Sequence, residues 1–149
     1  MNNQDEPIKG EHDNKKSENK SFLEQLKEEH HQILGTLQEV KKNGAHTMDG
    51  RNALTAAKDL MCMHFKKEDD ILYPELKKSV KNNKHDKQII KTFIEEMKKV
   101  TQFCDDFFQK YSISGGGIEF LRDFEKLYAM LETRLQKEET VLYPKYAPG

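Results

Sequence analysis

One eleven-residue pattern occurs twice in the chain and decides how it folds. Residues 64–74 read HFKKEDDILYP and residues 134–144 read RLQKEETVLYP, with identical residues at five of the eleven positions. Each copy ends in Leu-Tyr-Pro, and proline lacks the backbone N–H that the interior of a helix requires. The repeat therefore indicates the equivalent ends of two helices, and it predicts that the chain is a duplicated helical hairpin.

Apolar residues recur at steps of three and four in four separate segments. The first and third segments lie within residues 21–43 and 83–111, and the second and fourth run through Ile71 and Val141 to the prolines of the repeat. Such stripes are typical of amphipathic helices, and no alternating β-branched run indicates a strand. We therefore expect an all-α fold, an antiparallel up-and-down four-helix bundle built from two repeated helical hairpins.

Length and charge limit the classes of protein that fit. The chain has 149 residues, about one domain, and its 25 basic residues nearly cancel 26 acidic ones to leave a formal net charge of -1. This balance argues against nucleic acid or an anionic membrane as a partner. No apolar run is long enough to cross a membrane and no charged-then-apolar leader precedes the first stripe, so we expect a cytoplasmic protein.

The polarity of the chain changes sharply after its first twenty residues. Residues 1–20 consist mostly of Asn, Lys, Glu and Asp, and Met1 and Ile8 are the apolar residues among them. A segment of this composition cannot bury enough apolar surface to fold. We expect residues 1–20 to form a disordered polar tail and residues 21–149 to form the bundle.

Five polar residues interrupt the apolar stripes at matched depths. They are His30, His64, Glu68, His85 and Glu138. A polar group that faces a bundle core costs free energy unless it is hydrogen-bonded or coordinates something. In an up-and-down bundle these five converge at one end, and imidazole with carboxylate in such an interior is the ligand chemistry of non-haem iron or manganese. The sequence therefore predicts a metal site.

Structural roles for the same residues are the alternative. A single histidine on a stripe is more often a satisfied core residue than a ligand, and Glu68 or Glu138 could instead pair with a neighbouring cation such as Arg134. Tyr73 and Tyr143 stand immediately before the prolines, where we expect them to pack and form hydrogen bonds at the helix ends. Three histidines and two carboxylates at related depths nevertheless favour the metal site.

These residues together resemble the hemerythrin-like (HHE cation-binding) family. The resemblance rests on Glu29-His30-x-x-Ile33, on His64-x-x-x-Glu68 followed by Leu-Tyr-Pro, on His85, and on Lys137-Glu138-Glu139-x-x-Leu-Tyr-Pro. It covers about residues 21–146. It implies a non-haem di-iron centre inside a four-helix bundle, with histidines as terminal ligands and one carboxylate from each of the second and fourth helices bridging the irons.

The resemblance also assigns roles to individual residues. In the first hairpin it implies that His30 and His64 are terminal ligands and that Glu68 is a bridge. In the second hairpin it implies His85 as a ligand and Glu138 as the other bridge. Family members include oxygen carriers, sensors of oxygen or iron, and proteins linked to iron storage, nitric oxide and the repair of iron–sulfur centres.

Two positions depart from the family pattern. Arg134 stands where the fourth helix would carry a histidine, and arginine has no lone pair to offer a metal. Ile89 stands where oxygen-carrying hemerythrins place a second histidine of the third helix. We therefore expect an asymmetric centre, with one metal held by the three ligands of the first hairpin and a weaker or empty second position. Alternatively, Arg134 turns towards the bundle end and pairs with Glu138.

The expected function follows from the resemblance. It is a non-haem iron-binding protein, with two ions or one, that binds or senses a diatomic ligand such as O₂ or NO, or peroxide, or that handles iron. The alternative is a degenerate family member without metal that acts as a structural or protein-interaction bundle. The sequence identifies neither a substrate pocket nor a protein partner, so it leaves enzymatic activity open.

Overall fold

The computed structural model describes the backbone of residues 5–112 and 117–146, with side chains from Phe22 onward. Within these ranges the chain is helical and contains no strand. The predicted tail over residues 1–20 lies outside the described side chains and stays a prediction. The α-helices are α1 (Asp5–Asn43), α2 (Met48–Lys67), α3 (Tyr73–Ser79), α4 (Lys84–Lys110) and α5 (Gly117–Lys137).

The four long helices pack into a bundle around a single apolar core. α1 lies along α2, α5 contacts both α1 and α4, and the short α3 packs against α4. This arrangement confirms the all-α bundle. In the part of the chain with described coordinates, no helix combines the length and the apolar character needed to cross a bilayer. Fully buried core side chains include Leu26, Ile33, Leu37, Leu72, Leu127, Leu131 and Leu142.

Glycines make the tight connection between α1 and α2. Gly44 follows α1 with a φ of 85°, a left-handed conformation that favours glycine. Gly50, in the first turn of α2, lies so close that an added Cβ would be 1.7 Å from the Gly44 carbonyl oxygen. The Thr47 hydroxyl caps α2 by accepting a hydrogen bond from the Gly50 N–H at 2.9 Å. The two helices of the first hairpin are therefore held at a close, fixed approach.

Both copies of the repeat contain a π-helical turn. The turns span Glu68–Leu72 and Glu138–Leu142, and the Tyr73 and Tyr143 N–H groups each donate to the carbonyl of the glutamate five residues earlier. The proline that follows each tyrosine has no N–H with which to continue an α-helical ladder. The wider turn therefore brings residues i and i+5, the glutamate and the tyrosine, towards the same side of the helix.

The π-helical turns correct two predictions based on α-helical spacing. The sequence predicts that all four apolar residues before the Tyr-Pro pairs face inward; Ile71 and Val141 are 46% and 38% exposed, whereas Leu72 and Leu142 are fully buried as predicted. A π-helical turn contains one residue more than an α-helical turn. This extra residue rotates the end of each helix, so the buried positions there do not continue the spacing of the preceding apolar stripe. The prolines also do not end the helical structure, because α3 continues to Ser79 and a 3-10 turn spans Tyr143–Lys145.

Candidate metal centre

Four polar side chains meet in the bundle interior. His30 comes from α1, His64 from the last turn of α2, and Glu68 and Glu138 each begin a π-helical turn. All four are at most 2% exposed, and one ligand atom from each lies within 4.8 Å of those of the others. We call these four residues the donor cluster. It unites four of the five residues that the sequence predicts as ligands.

The cluster atoms approach one another closely. His30 Nε2 lies 3.0 Å from His64 Nε2 and 3.1 Å from Glu138 Oε1. His64 Nε2 lies 3.2 Å from Glu68 Oε2 and 3.6 Å from Glu138 Oε1. The i, i+4 spacing of His64 and Glu68 therefore places imidazole and carboxylate on one face, as the sequence predicts.

Carboxylates outside the cluster orient both imidazoles. His30 Nδ1 lies 2.6 Å from Glu139 Oε2, and His64 Nδ1 lies 2.8 Å from Glu29 Oε1. Lys67 in turn forms an ion pair with Glu29. A carboxylate on one ring nitrogen fixes the orientation of the ring and raises the basicity of the other nitrogen. Both histidines are therefore held with Nε2 directed into the cluster.

Close packing of ionisable groups changes their proton affinities. Burial acts to lower the pKa of His64, but hydrogen bonds with Glu138, Glu29 and Glu68 raise it to about 11. Burial and the adjacent charge of Glu138 raise the pKa of Glu68 to about 8. Although burial opposes it, hydrogen bonds with His30 and His64 lower the pKa of Glu138. Without a cation, the cluster therefore holds protons at neutral pH.

Arg134 lies beside the cluster and is 4% exposed. Its Nε donates to Glu138 Oε2 at 3.2 Å, and its Nη2 donates to the Tyr73 hydroxyl at 2.9 Å and to the Phe93 carbonyl at 3.0 Å. The guanidinium also stacks on the Phe93 ring, 4.7 Å from its centroid. Arg134 is thus both buried and paired with Glu138, and it occupies the carboxylate oxygen that faces away from the cluster.

His85 is the predicted ligand that the structure does not bring into the cluster. It is exposed and lines a shallow cavity of about 190 Å³ with Phe93, Glu96 and Lys137. The predicted stripe reached it by two steps of four residues from the buried Phe93. Each such step overshoots a full helical turn by about 40°, so His85 lies about 80° from the core direction. Its role as a ligand stays a prediction.

Tyr143 joins the site, although the sequence favours packing and hydrogen bonding at a helix end over a role in the site. Its hydroxyl lies 3.0 Å from His30 Nε2, 3.2 Å from Glu68 Oε2 and 3.3 Å from Glu138 Oε1. Burial raises its pKa, and the charges of the two glutamates raise it further. The repeated Leu-Tyr-Pro motif was the signal in the sequence that could have drawn attention to Tyr143. In an α-helix, however, residues i and i+5 do not lie side by side, so the spacing did not predict the contact with Glu138.

The residues present fit a bound cation. Two imidazole nitrogens and two carboxylates form the nitrogen and oxygen set that divalent first-row transition metals accept. Glu68 Oε1 is buried and, within the described part of the molecule, has no hydrogen-bond partner. Buried polar atoms are normally satisfied, and a cation bound by the Glu68 carboxylate would offset the unmet charge of this oxygen.

Comparison with known proteins agrees with this geometry. Residues 21–146 match the family model described as the hemerythrin HHE cation binding domain. No curated protein and no solved structure matches the chain significantly. The matched range contains α2 to α5, the part of α1 that carries His30, and every residue of the donor cluster.

Proposed function

Since this chain belongs to the hemerythrin HHE cation-binding family, we propose that it is a non-haem iron protein that binds or senses O₂, NO or peroxide, or handles iron. The observation that carries the proposal is the convergence of four buried donors, two imidazoles and two carboxylates, within 4.8 Å of one another. A cytoplasmic location and an up-and-down antiparallel order of the helices belong to the same proposal.

Charge and donor number favour one iron over two. Counted with the two cluster carboxylates and the buried Arg134 guanidinium, one Fe²⁺ leaves a net charge of +1, whereas two Fe²⁺ leave +3. Burying such charge is costly. We therefore propose an asymmetric centre in which the donor cluster holds one ion. The second position of the family's di-iron arrangement, near His85, is then weak or empty.

The chain's own residues would prepare the site for this ion. Glu29 and Glu139 hold the two imidazoles with Nε2 directed inward, and Arg134 fixes Glu138 through its outer oxygen. The aliphatic and aromatic core around the cluster limits access of water. Iron, when bound, supplies open coordination positions at which a small exogenous ligand can bind.

Anaerobic loading tests the proposal. The purified protein is incubated with Fe²⁺, desalted, assayed for iron, and then exposed to NO while its absorption spectrum is recorded. We expect iron to be retained and new absorption bands to appear on addition of NO. A protein that remains folded but retains no iron would instead support the alternative, a bundle that has kept the fold and acts in protein interaction.

A further inference from the structure

The hydroxyl oxygen of Tyr143 belongs to the same compact set of atoms as the donor cluster. The set comprises two nitrogens and three oxygens: His30 Nε2, His64 Nε2, Glu68 Oε2, Glu138 Oε1 and Tyr143 Oη. The hydroxyl reaches three members of the cluster at 3.0 to 3.3 Å. Each residue uses one and the same atom in all of its contacts within the set, as donors to a single ion must.

The separations within the set follow a definite pattern. When donors lie about 2.1 Å from a metal at right angles, neighbouring donors are about 3.0 Å apart and opposite donors about 4.2 Å apart. Seven pairs of the set lie 3.0 to 3.6 Å apart. These seven separations are close to those expected of neighbouring donors around one ion.

The tyrosine hydroxyl is as close to the cluster atoms as those atoms are to one another. Its three separations, 3.0 to 3.3 Å, fall within the range of 3.0 to 3.6 Å that the four contacts among the imidazole and carboxylate atoms span. A metal ion held by the donor cluster would therefore lie within reach of the Tyr143 oxygen.

We propose that Tyr143 is a fifth metal donor, which would coordinate a single ion through its phenol oxygen beside the four residues of the donor cluster. The inference rests on the proposed function, since it concerns the same centre. Coordination replaces the phenol proton with the metal, and the proton leaves to solvent. The resulting phenolate adds a negative charge, which favours Fe³⁺ over Fe²⁺ at this centre.

The equivalent tyrosine of the first repeat cannot take this role. The Tyr73 hydroxyl accepts a hydrogen bond from Arg134 Nη2 at 2.9 Å and makes no contact with the donor cluster. Both tyrosines are buried, and both stand five residues after a cluster glutamate. Tyr73 is therefore a matched control, with the same residue type, helical turn and burial but a different partner.

The absorption spectrum of the ferric protein tests the proposal. The whole chain is loaded anaerobically with Fe²⁺, desalted and oxidised with ferricyanide, because a phenolate bound to Fe³⁺ gives an intense visible charge-transfer band. We expect this band in the unchanged protein and in Tyr73→Phe, and its loss in Tyr143→Phe. We also expect Tyr143→Phe to lower the affinity for iron by about tenfold or more.

Each outcome decides between the two proposals. An unchanged protein that binds iron without the visible band would overturn the role of Tyr143 and leave the iron centre standing. A band that persists in Tyr143→Phe would overturn it as well. Failure to retain any iron would overturn both proposals.

If Tyr143→Phe does not fold, resonance Raman spectra of the unchanged protein and of Tyr73→Phe, each with ring-deuterated tyrosine, replace it. Isotope-shifted phenolate modes in both support Tyr143, and their absence overturns its role.

Discussion

Both copies of the repeat form a π-helical turn, but they use their side chains differently. In the first copy, the imidazole of His64 enters the donor cluster and Tyr73 is turned away from it. In the second copy, the equivalent of His64 is Arg134, and the equivalent tyrosine, Tyr143, contacts three cluster atoms. Both copies begin their π-helical turn with a glutamate that belongs to the cluster.

One residue contacts both copies at this difference. Arg134 donates to the outer oxygen of Glu138 and to the hydroxyl of Tyr73, so it engages one group from each copy. A guanidinium cannot donate electrons to a metal, but it supplies a fixed positive charge beside the carboxylate. The two copies therefore place different side chains around one cluster.

Removing the imidazole of the first copy has the largest expected effect. His64→Ala deletes a donor that contacts the three other cluster residues and Glu29, and we expect iron retained after desalting to fall to near zero. His31→Ala, one residue after His30 but exposed, is the control and should retain iron normally. Metal analysis, with circular dichroism to confirm folding, measures both variants. Full iron retention by His64→Ala would rule out the donor cluster as the site.

Removing the guanidinium of the second copy should instead destabilise the metal-free fold. Arg134→Met leaves the buried outer oxygen of Glu138 without its hydrogen-bond donor, which costs about 1–3 kcal/mol of unfolding free energy. Lys41→Met removes an exposed ion pair with Glu125 and should cost less than about 1 kcal/mol. Urea denaturation of the metal-free proteins compares the two. Equal stability of Arg134→Met and the unchanged protein would show that the buried pair contributes nothing.

Acidity should weaken metal binding through the first copy. The raised pKa values of His64, about 11, and Glu68, about 8, mean that both groups are mainly protonated at neutral pH in the metal-free site. Displacement of these two protons should raise affinity by about a hundredfold per pH unit below pH 8 and less steeply above it, and loss of the Tyr143 phenol proton on binding adds about tenfold per unit. Competition with a chelator between pH 6 and 8 measures this slope. Affinity that is constant over this range would contradict the protonation described.

The smallest effect is expected at His85. It is exposed and lies outside the donor cluster, so His85→Ala should leave the affinity for the first iron within about twofold of its normal value. The same chelator competition measures it. A large loss of affinity would mean that His85 is a ligand of the first ion.

The sequence predicted the cluster because its members obey α-helical spacing. His64 and Glu68 are four residues apart, the repeat places Glu138 in correspondence with Glu68, and His30 lies on the stripe of the neighbouring helix. Each of these positions depends on a short, regular segment. Such local regularity is what periodicity measures reliably.

The remaining features depend on departures from that spacing. Tyr143 reaches the cluster because a π-helical turn separates it from Glu138, and the same turn exposes Ile71 and Val141. His85 misses the cluster because two four-residue steps accumulate rotation. The contacts of Arg134 with Tyr73 and the Phe93 carbonyl join three different elements, so no pattern within one helix could predict them.

The number of irons bound per chain tests most directly whether Arg134 limits the centre to one ion. The measurement is an anaerobic Fe²⁺ titration of the unchanged protein beside Arg134→His, which restores an imidazole at the position equivalent to His64. We expect about one tightly bound iron in the unchanged protein and a rise towards two in the variant. Two irons in the unchanged protein, or no increase in Arg134→His, would contradict the single-ion centre described.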